Sequence, residues 1–214
     1  MKILGVEEAG RGPVIGPLVM VGILIDEEKE QNLVNIGVKD SKQLSPLQRE
    51  QMYDRILEAA EKYKIIILQP KDIDATLNSP DTNLNWLEAD TSIKIINELD
   101  PDKAILDCPS NNCSVYTAYV LERLKDKDTE IISEHKADEK YPVVSAASII
   151  AKVTRDKEVA KIRAKIGIDF GSGYPSDPKT VSFLKENYDK YDIFRKTWAS
   201  YKKVAAQKSQ KTLI

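Results

Sequence analysis

Three carboxylates fall where strands should end, and a fourth in a loop before a long helix. Glu7 and Glu8 close the apolar run Ile3-Leu4-Gly5-Val6, Asp107 closes Lys103-Ala104-Ile105-Leu106, and Asp138 lies in the charged segment Glu134 to Lys140, just ahead of a long helical pattern. Taken singly, each acid is an ordinary solvated group. Neighbouring side chains on a strand face opposite ways, so Glu7 and Glu8 cannot both lie against one core, and at least one must be solvated, paired or metal-bound. In an open sheet with parallel strands, ligands gather beyond the carboxyl ends of the strands. Four carboxylates meeting there repel one another unless divalent cations intervene, and oxygen ligands select magnesium or manganese over zinc. Two such ions, ~3.5 to 4 Å apart, are the usual apparatus for in-line attack on a phosphate diester.

The residues after Glu8 are Ala9-Gly10-Arg11-Gly12-Pro13. Gly16 comes one residue too late for GxGxxG and Pro13 intervenes, which excludes a dinucleotide loop. Two glycines flanking an arginine either form a plain hairpin turn or bring backbone amides close to a sugar or phosphate, where a 2′-hydroxyl distinguishes RNA from DNA. Lys39 and Lys42 flank Asp40-Ser41 and are either solvated or phosphate ligands. Tyr174, set in Gly171-Ser172-Gly173-Tyr174-Pro175, either packs on its own domain or stacks on a sugar or base. Cys108, Cys113 and His135 are the only cysteines and the only histidine. They are too few for the usual zinc site, so the thiols read as small hydrophobes and His135 as a structural or surface residue without a catalytic role.

The elements that must hold these residues follow from periodicity. Leu18 to Ile25 is a second strand, pairing with the first. Ser45-Pro46-x-Gln48 opens a helix to about Lys62 through a capping box. Ile65 to Leu68 reads as a buried strand ended by Pro70. Trp86, Leu87, Ile93, Ile96 and Leu99 give helical spacing over 84 to 99. A helix from about 114 to 125 separates the strand at 103 to 107 from one at 130 to 133, and such alternation implies parallel pairing. A long helix rich in small residues runs from Pro142 to about Lys165, then a helix to about Tyr188, then another around 197 to 206. The expected plan is an α/β core over 1–165 and a small helical region with a basic tail over 166–214.

A chain of 214 residues is long enough for a full core. It has no apolar run of about 18 residues and no signal-peptide pattern after Met1, which predicts a cytoplasmic protein. Net charge is only -2, but residues 134–214 carry 17 Lys and Arg against 10 Asp and Glu, and no acid follows Arg195. That asymmetry points toward nucleic acid.

Four strings in order, GVEEAGRGPVIGP, GVKDSKQL, EHKADEKYPVVSAASIIAKVTRD and GSGYPSDP, resemble the ribonuclease HII (type 2 ribonuclease H) family in its archaeal-like single-chain form. The resemblance runs from residue 3 to about 180. It implies a ribonuclease H-like mixed β-sheet flanked by helices, with a small C-terminal helical region. It also implies a monomeric endonuclease that cuts the RNA strand of RNA-DNA hybrids and cleaves at ribonucleotides embedded in duplex DNA, using two magnesium or manganese ions. The metal-binding and catalytic carboxylates would be Glu7, Glu8, Asp107 and Asp138. Gly10, Arg11 and Gly12 would sense the 2′-hydroxyl, Lys42 would contact a phosphate, and Tyr174 would stack at the RNA-DNA junction.

One departure matters. The family carries aspartate followed by glutamate where this chain has Glu7 followed by Glu8, and the extra methylene moves a carboxylate by ~1.5 Å. Misplacement of ~1 Å can cost on the order of a hundredfold in rate. The alternatives are therefore a catalytically weakened hybrid-binding protein, or a metal-dependent phosphatase of small nucleotides, which leaves Tyr174 and the basic region unused. Gln210-Lys211-Thr212-Leu213-Ile214 resembles the start of a sliding-clamp-binding motif without its aromatic pair.

Overall fold

The computed structural model describes residues 1–38 and 44–211. Lys42 and Thr212-Leu213-Ile214 lie outside the described residues. The chain divides into two compact units. The first comprises Met1–Ala9, Val19–Ile66 and Leu84–Thr154; the second comprises Gly10–Leu18, Ile67–Asn83 and Arg155 onward. This differs from the expected 1–165 and 166–214. Val14 and Ile15 from the loop after the first strand join Val159, Phe170, Phe183, Leu184, Phe194 and Val204 in one apolar cluster. Such a cluster recruits chain by apolar contact rather than by sequence continuity.

In the first unit, β1 (Lys2–Ala9) pairs antiparallel with β2 (Leu18–Asp26), and Val6 lies opposite Gly22. On its other side β1 pairs parallel with β4 (Lys103–Asp107), which pairs parallel with β5 (Glu130–Glu134). With β3 (Lys62–Leu68) the sheet order is β3-β2-β1-β4-β5. The run at 65–68, expected to be buried, is the end of edge strand β3 and is only partly buried.

Both faces of β1 are covered, which is why its apolar run is continuous rather than alternating. The first turn of α7 (Pro142–Ile166) lies on one face so closely that a Cβ on Gly5 would be 2.5 Å from the Val143 carbonyl carbon. On the other face α4 (Leu84–Leu99) sets Ile95 directly over Gly22. The small residues Ser145, Ala146, Ala147, Ser148 and Ala151 of α7 are all buried. Helix α5 (Cys113–Arg123) is capped by Asn112, whose side chain accepts from the Val115 amide.

Helix α2 (Pro46–Ala59) begins with the expected capping box, Ser45 and Gln48 each accepting the other's backbone N–H. Among the described residues, three short α-helices and the 3-10 turn Glu27–Lys29 were not expected. Residues 30–36 form α1, and Pro70, which follows the end of β3 as expected, also opens α3 (Pro70–Leu77), a role its fixed φ and missing N–H suit. The segment 134–140, expected as a loop, contains the single turn α6 (Ala137–Lys140). The second unit also holds α8 (Pro178–Asn187) and α9 (Ala199–Lys211). Among the described residues no helix is long and apolar enough to cross a membrane.

Candidate active site

The carboxylates of Glu7, Glu8 and Asp107 each place an oxygen within 4.8 Å of the other two. Strand register explains Glu7 and Asp107. Val6 is level with Leu106 in the parallel β1–β4 pair, so the next residue on each strand points to the same face, the one α7 covers. Glu8, the next residue on β1, starts toward the opposite face, yet one of its carboxylate oxygens lies within 4.8 Å of those of Glu7 and Asp107. Asp138 is buried in the first turn of α6. That turn is tied to β4 by the Ala137 amide, which donates to Asp107 Oδ1 at 2.7 Å. Lys136, one residue earlier, takes a left-handed conformation at φ 58 to make the bend.

Electrostatically the cluster is unstable by itself. Burial raises the Glu7 carboxyl well above the usual carboxylate range, and the charges of Glu8, Asp107 and Asp138 raise it further; Lys152 only partly offsets them. Glu7 Oε2 is buried and, among the described residues, accepts no hydrogen bond. A buried, unpartnered carboxylate oxygen among like charges is what a divalent cation's oxygen shell would satisfy, and the donor set is all oxygen. The residues present therefore fit the magnesium or manganese expected from the sequence.

The other predicted residues, apart from Lys42, lie in the second unit. Gly10 has φ 84, and a Cβ there would come within 2.8 Å of the Pro17 carbonyl oxygen, so only glycine fits the bend. Gly12 lies beside Tyr174, since a Cβ on it would be 3.3 Å from Tyr174 Cε1. Tyr174 is 40% exposed, with the Arg155 guanidinium carbon 5.7 Å from its ring centroid. Its loop is held by Gly173, whose carbonyl accepts from the amides of Val14 and Ile15 and whose amide donates to Thr180 Oγ1. The ring thus stands on a fixed loop next to the glycine turn, with an accessible face.

Two residues that periodicity did not single out hold that turn. Arg195 is fully buried and donates to the carbonyls of Gly10 at 2.6 Å, Arg11 at 2.9 Å and Gly16 at 3.0 Å. Trp198 Nε1 donates to the Gly12 carbonyl at 3.1 Å. All three carbonyls of Gly10-Arg11-Gly12 are therefore taken up by the segment before α9. That segment is itself anchored by Asp74 of α3, which accepts from the amides of Lys196 and Thr197 and from Thr197 Oγ1 at 2.6 to 2.9 Å.

A mixed five-stranded sheet in the order β3-β2-β1-β4-β5, with carboxylates closing the neighbouring strands β1 and β4, defines a ribonuclease H-like protein. The ribonuclease HII family description matches residues 4–201, and the chain belongs to that family. It is 46% identical to the Ribonuclease HII of Pyrococcus furiosus over an alignment covering 100% of this chain and 97% of that one. The crystal structure of ribonuclease H2 from Pyrococcus horikoshii superposes with a TM-score of 0.89 at 44% identity, covering 97% of this chain and 98% of that one. The RNase HII of Archaeoglobus fulgidus, solved in a PCNA:RNase HII complex, superposes with a TM-score of 0.83 at 36% identity, covering 92% and 95%. The chain is accordingly an endoribonuclease, a hydrolase.

Proposed function

We propose that this chain hydrolyses the RNA strand of RNA-DNA hybrids and cuts at ribonucleotides embedded in duplex DNA, leaving a 5′-phosphate and a 3′-hydroxyl. The observation that carries the reading is the convergence of Glu7, Glu8 and Asp107 with one oxygen of Glu7 buried and without a hydrogen-bond partner among the described residues. Glu7, Glu8, Asp107 and Asp138 would hold two divalent ions, magnesium or manganese, which when bound would supply an activated water and stabilise the departing oxygen. The Ala137 amide fixes the Asp107 carboxylate by occupying Oδ1, which orients the group without neutralising it.

Recognition falls to Gly10, Arg11, Gly12 and Tyr174, with Lys42 on a phosphate. Only Ala9 separates Glu8 from Gly10, so their Cα atoms are within ~7.6 Å whatever the backbone does. Reading of a 2′-hydroxyl by the turn is thereby coupled in sequence to the carboxylates. With the turn's carbonyls occupied by Arg195 and Trp198, its peptide planes are oriented before substrate arrives, and Tyr174 offers an exposed ring for stacking.

The reading in which Glu7 cripples the enzyme is less well supported, because the Glu7 carboxylate does reach the other acids. The enzyme acts as a monomer in the cytoplasm; the Archaeoglobus fulgidus RNase HII in complex with PCNA supports a sliding clamp as a further partner, while Gln210 to Ile214 lacks the aromatic pair of a full clamp-binding motif. A duplex carrying one ribonucleotide, an all-DNA duplex and a free nucleoside triphosphate, each incubated with magnesium and then manganese, test the substrate class. Cutting of the first alone, with 5′-phosphate and 3′-hydroxyl ends, is expected. Equal hydrolysis of the free nucleotide would favour a small-nucleotide phosphatase instead.

A further inference from the structure

The three residues set aside as chemically ordinary converge on a different donor set. Cys108 Sγ, Cys113 Sγ and a ring nitrogen of His135 all lie within 4.8 Å of one another. Cys108 follows β4, Cys113 opens α5 and His135 follows β5. The parallel register makes Asp107 level with Glu134, and the Cys108 amide donates to the Glu134 carbonyl at 2.9 Å, so the residues after them, Cys108 and His135, stand side by side. The Asn112 cap then fixes the start of α5, and with it Cys113.

The histidine is oriented as metal-ligating imidazoles usually are. His135 Nδ1 lies 3.1 Å from the Cys108 carbonyl oxygen, which can only accept, so Nδ1 carries the proton and donates. Nε2 is left with its lone pair toward Cys113 Sγ, 3.3 Å away. A carbonyl behind the ring that fixes the tautomer is the usual outer-shell support of a histidine ligand. Donor atoms around tetrahedral zinc, with bonds of about 2.3 Å to sulfur and 2.0 Å to nitrogen, stand ~3.5 to 3.8 Å apart. The observed spacing needs shifts of about one ångström or less.

We propose that Cys108, Cys113 and His135 form a binding site for a thiophilic divalent cation, zinc in the first instance, distinct from the all-oxygen cluster of Glu7, Glu8 and Asp107. Binding exchanges the two thiol protons, released to solvent, for two metal–sulfur bonds and one metal–nitrogen bond. Entry is from the solvent side, since His135 is exposed and Cys113 only partly buried, and water or an external ligand completes the tetrahedron. The site ties the end of β4 to α5 and β5, one residue from Asp107.

Cobalt(II) is the probe, because sulfur-to-cobalt charge transfer reports thiolate ligation and an all-oxygen site gives none. The full chain is reduced, shown by thiol titration to have two free thiols, and titrated with cobalt under inert gas. A charge-transfer band saturating at one equivalent and abolished by one equivalent of zinc is expected. The band should persist in Glu7→Gln and weaken at least tenfold in apparent affinity in both Cys113→Ser and His135→Ala, whose folding is checked by circular dichroism. His135 is exposed, so that variant should fold whatever becomes of the other. Absence of the band with both thiols free would overturn the proposal, as would a band unchanged in the two variants.

Discussion

The backbone N–H of Ala137 donates to Asp107 Oδ1 at 2.7 Å, joining the turn that carries Asp138 to the strand that carries Asp107. One carboxylate thus serves as a structural acceptor and as part of the acid cluster. The two roles can be separated. Asp107→Asn keeps an oxygen for the Ala137 amide but removes the charge, so folding should be retained while cleavage of a single-ribonucleotide duplex falls by on the order of a hundredfold or more, equivalent to ~2.7 kcal/mol of transition-state stabilisation. A melting temperature near wild type with cleavage also near wild type would remove Asp107 from the catalytic set.

Glu7 makes a prediction about pH. Its carboxyl is raised well above its ordinary value, chiefly by burial and then by Glu8, Asp107 and Asp138. A group whose folded pKa lies above its unfolded one contributes stability that is full below the unfolded value and lost as pH rises through the folded one. Metal-free protein should therefore lose stability as pH climbs above the ordinary carboxylate range. Glu7→Gln should remove that part of the slope and melt higher at neutral pH, each kcal/mol regained shifting the midpoint by about 2 to 4 °C. Magnesium should stabilise the wild type more than the variant. Denaturant midpoints across pH in chelator would show it, and identical slopes for the two proteins would contradict it.

The glycine turn depends on Arg195. Its planar fork satisfies three carbonyls at once, whereas a lysine ammonium has no such geometry and methionine has no donor. Arg195→Met should cost on the order of 3 kcal/mol in denaturant unfolding, because it leaves buried acceptors unpaired. Arg195→Lys should fold better yet cleave on the order of a hundredfold more slowly, since the turn is no longer held to within ~1 Å. Cleavage by the lysine variant at the wild-type rate would show that the turn holds itself.

Much of this was legible in the sequence, and for identifiable reasons. Continuous apolar runs marked β1, β2, β4 and β5, and a Ser-Pro-x-Gln signature marked α2. Glu7, Glu8 and Asp107 were conspicuous because they closed strands, and Asp138 because it sat in a charged segment before a long helix; register then brought Glu7 and Asp107 to one face. What escaped notice was short or distant. Helices α1, α3 and α6 have too few turns to show a period, and α6 was hidden in charged residues. Arg195 reaches carbonyls 179 to 185 residues away, and no local pattern records that. The grouping of Cys108, Cys113 and His135 depends on β4 and β5 ending level; only the Cys-x4-Cys spacing and a histidine directly after a strand hinted at it. The division into units followed the apolar cluster around Phe183 and Phe194, to which the loop after β1 contributes Val14 and Ile15.

Catalysis at this site turns on the length of Glu7. Its carboxylate reaches Glu8 and Asp107, so the native side chain should serve in place of the family's aspartate. The direct measurement is cleavage of a duplex holding one ribonucleotide by the wild-type chain and by Glu7→Asp, in magnesium and in manganese, with chelator as control. Cutting by the wild type that requires either ion and lies within about a hundredfold of Glu7→Asp is predicted. Cutting by Glu7→Asp alone, no cutting by either protein with either ion, or cutting that survives chelator, would contradict it.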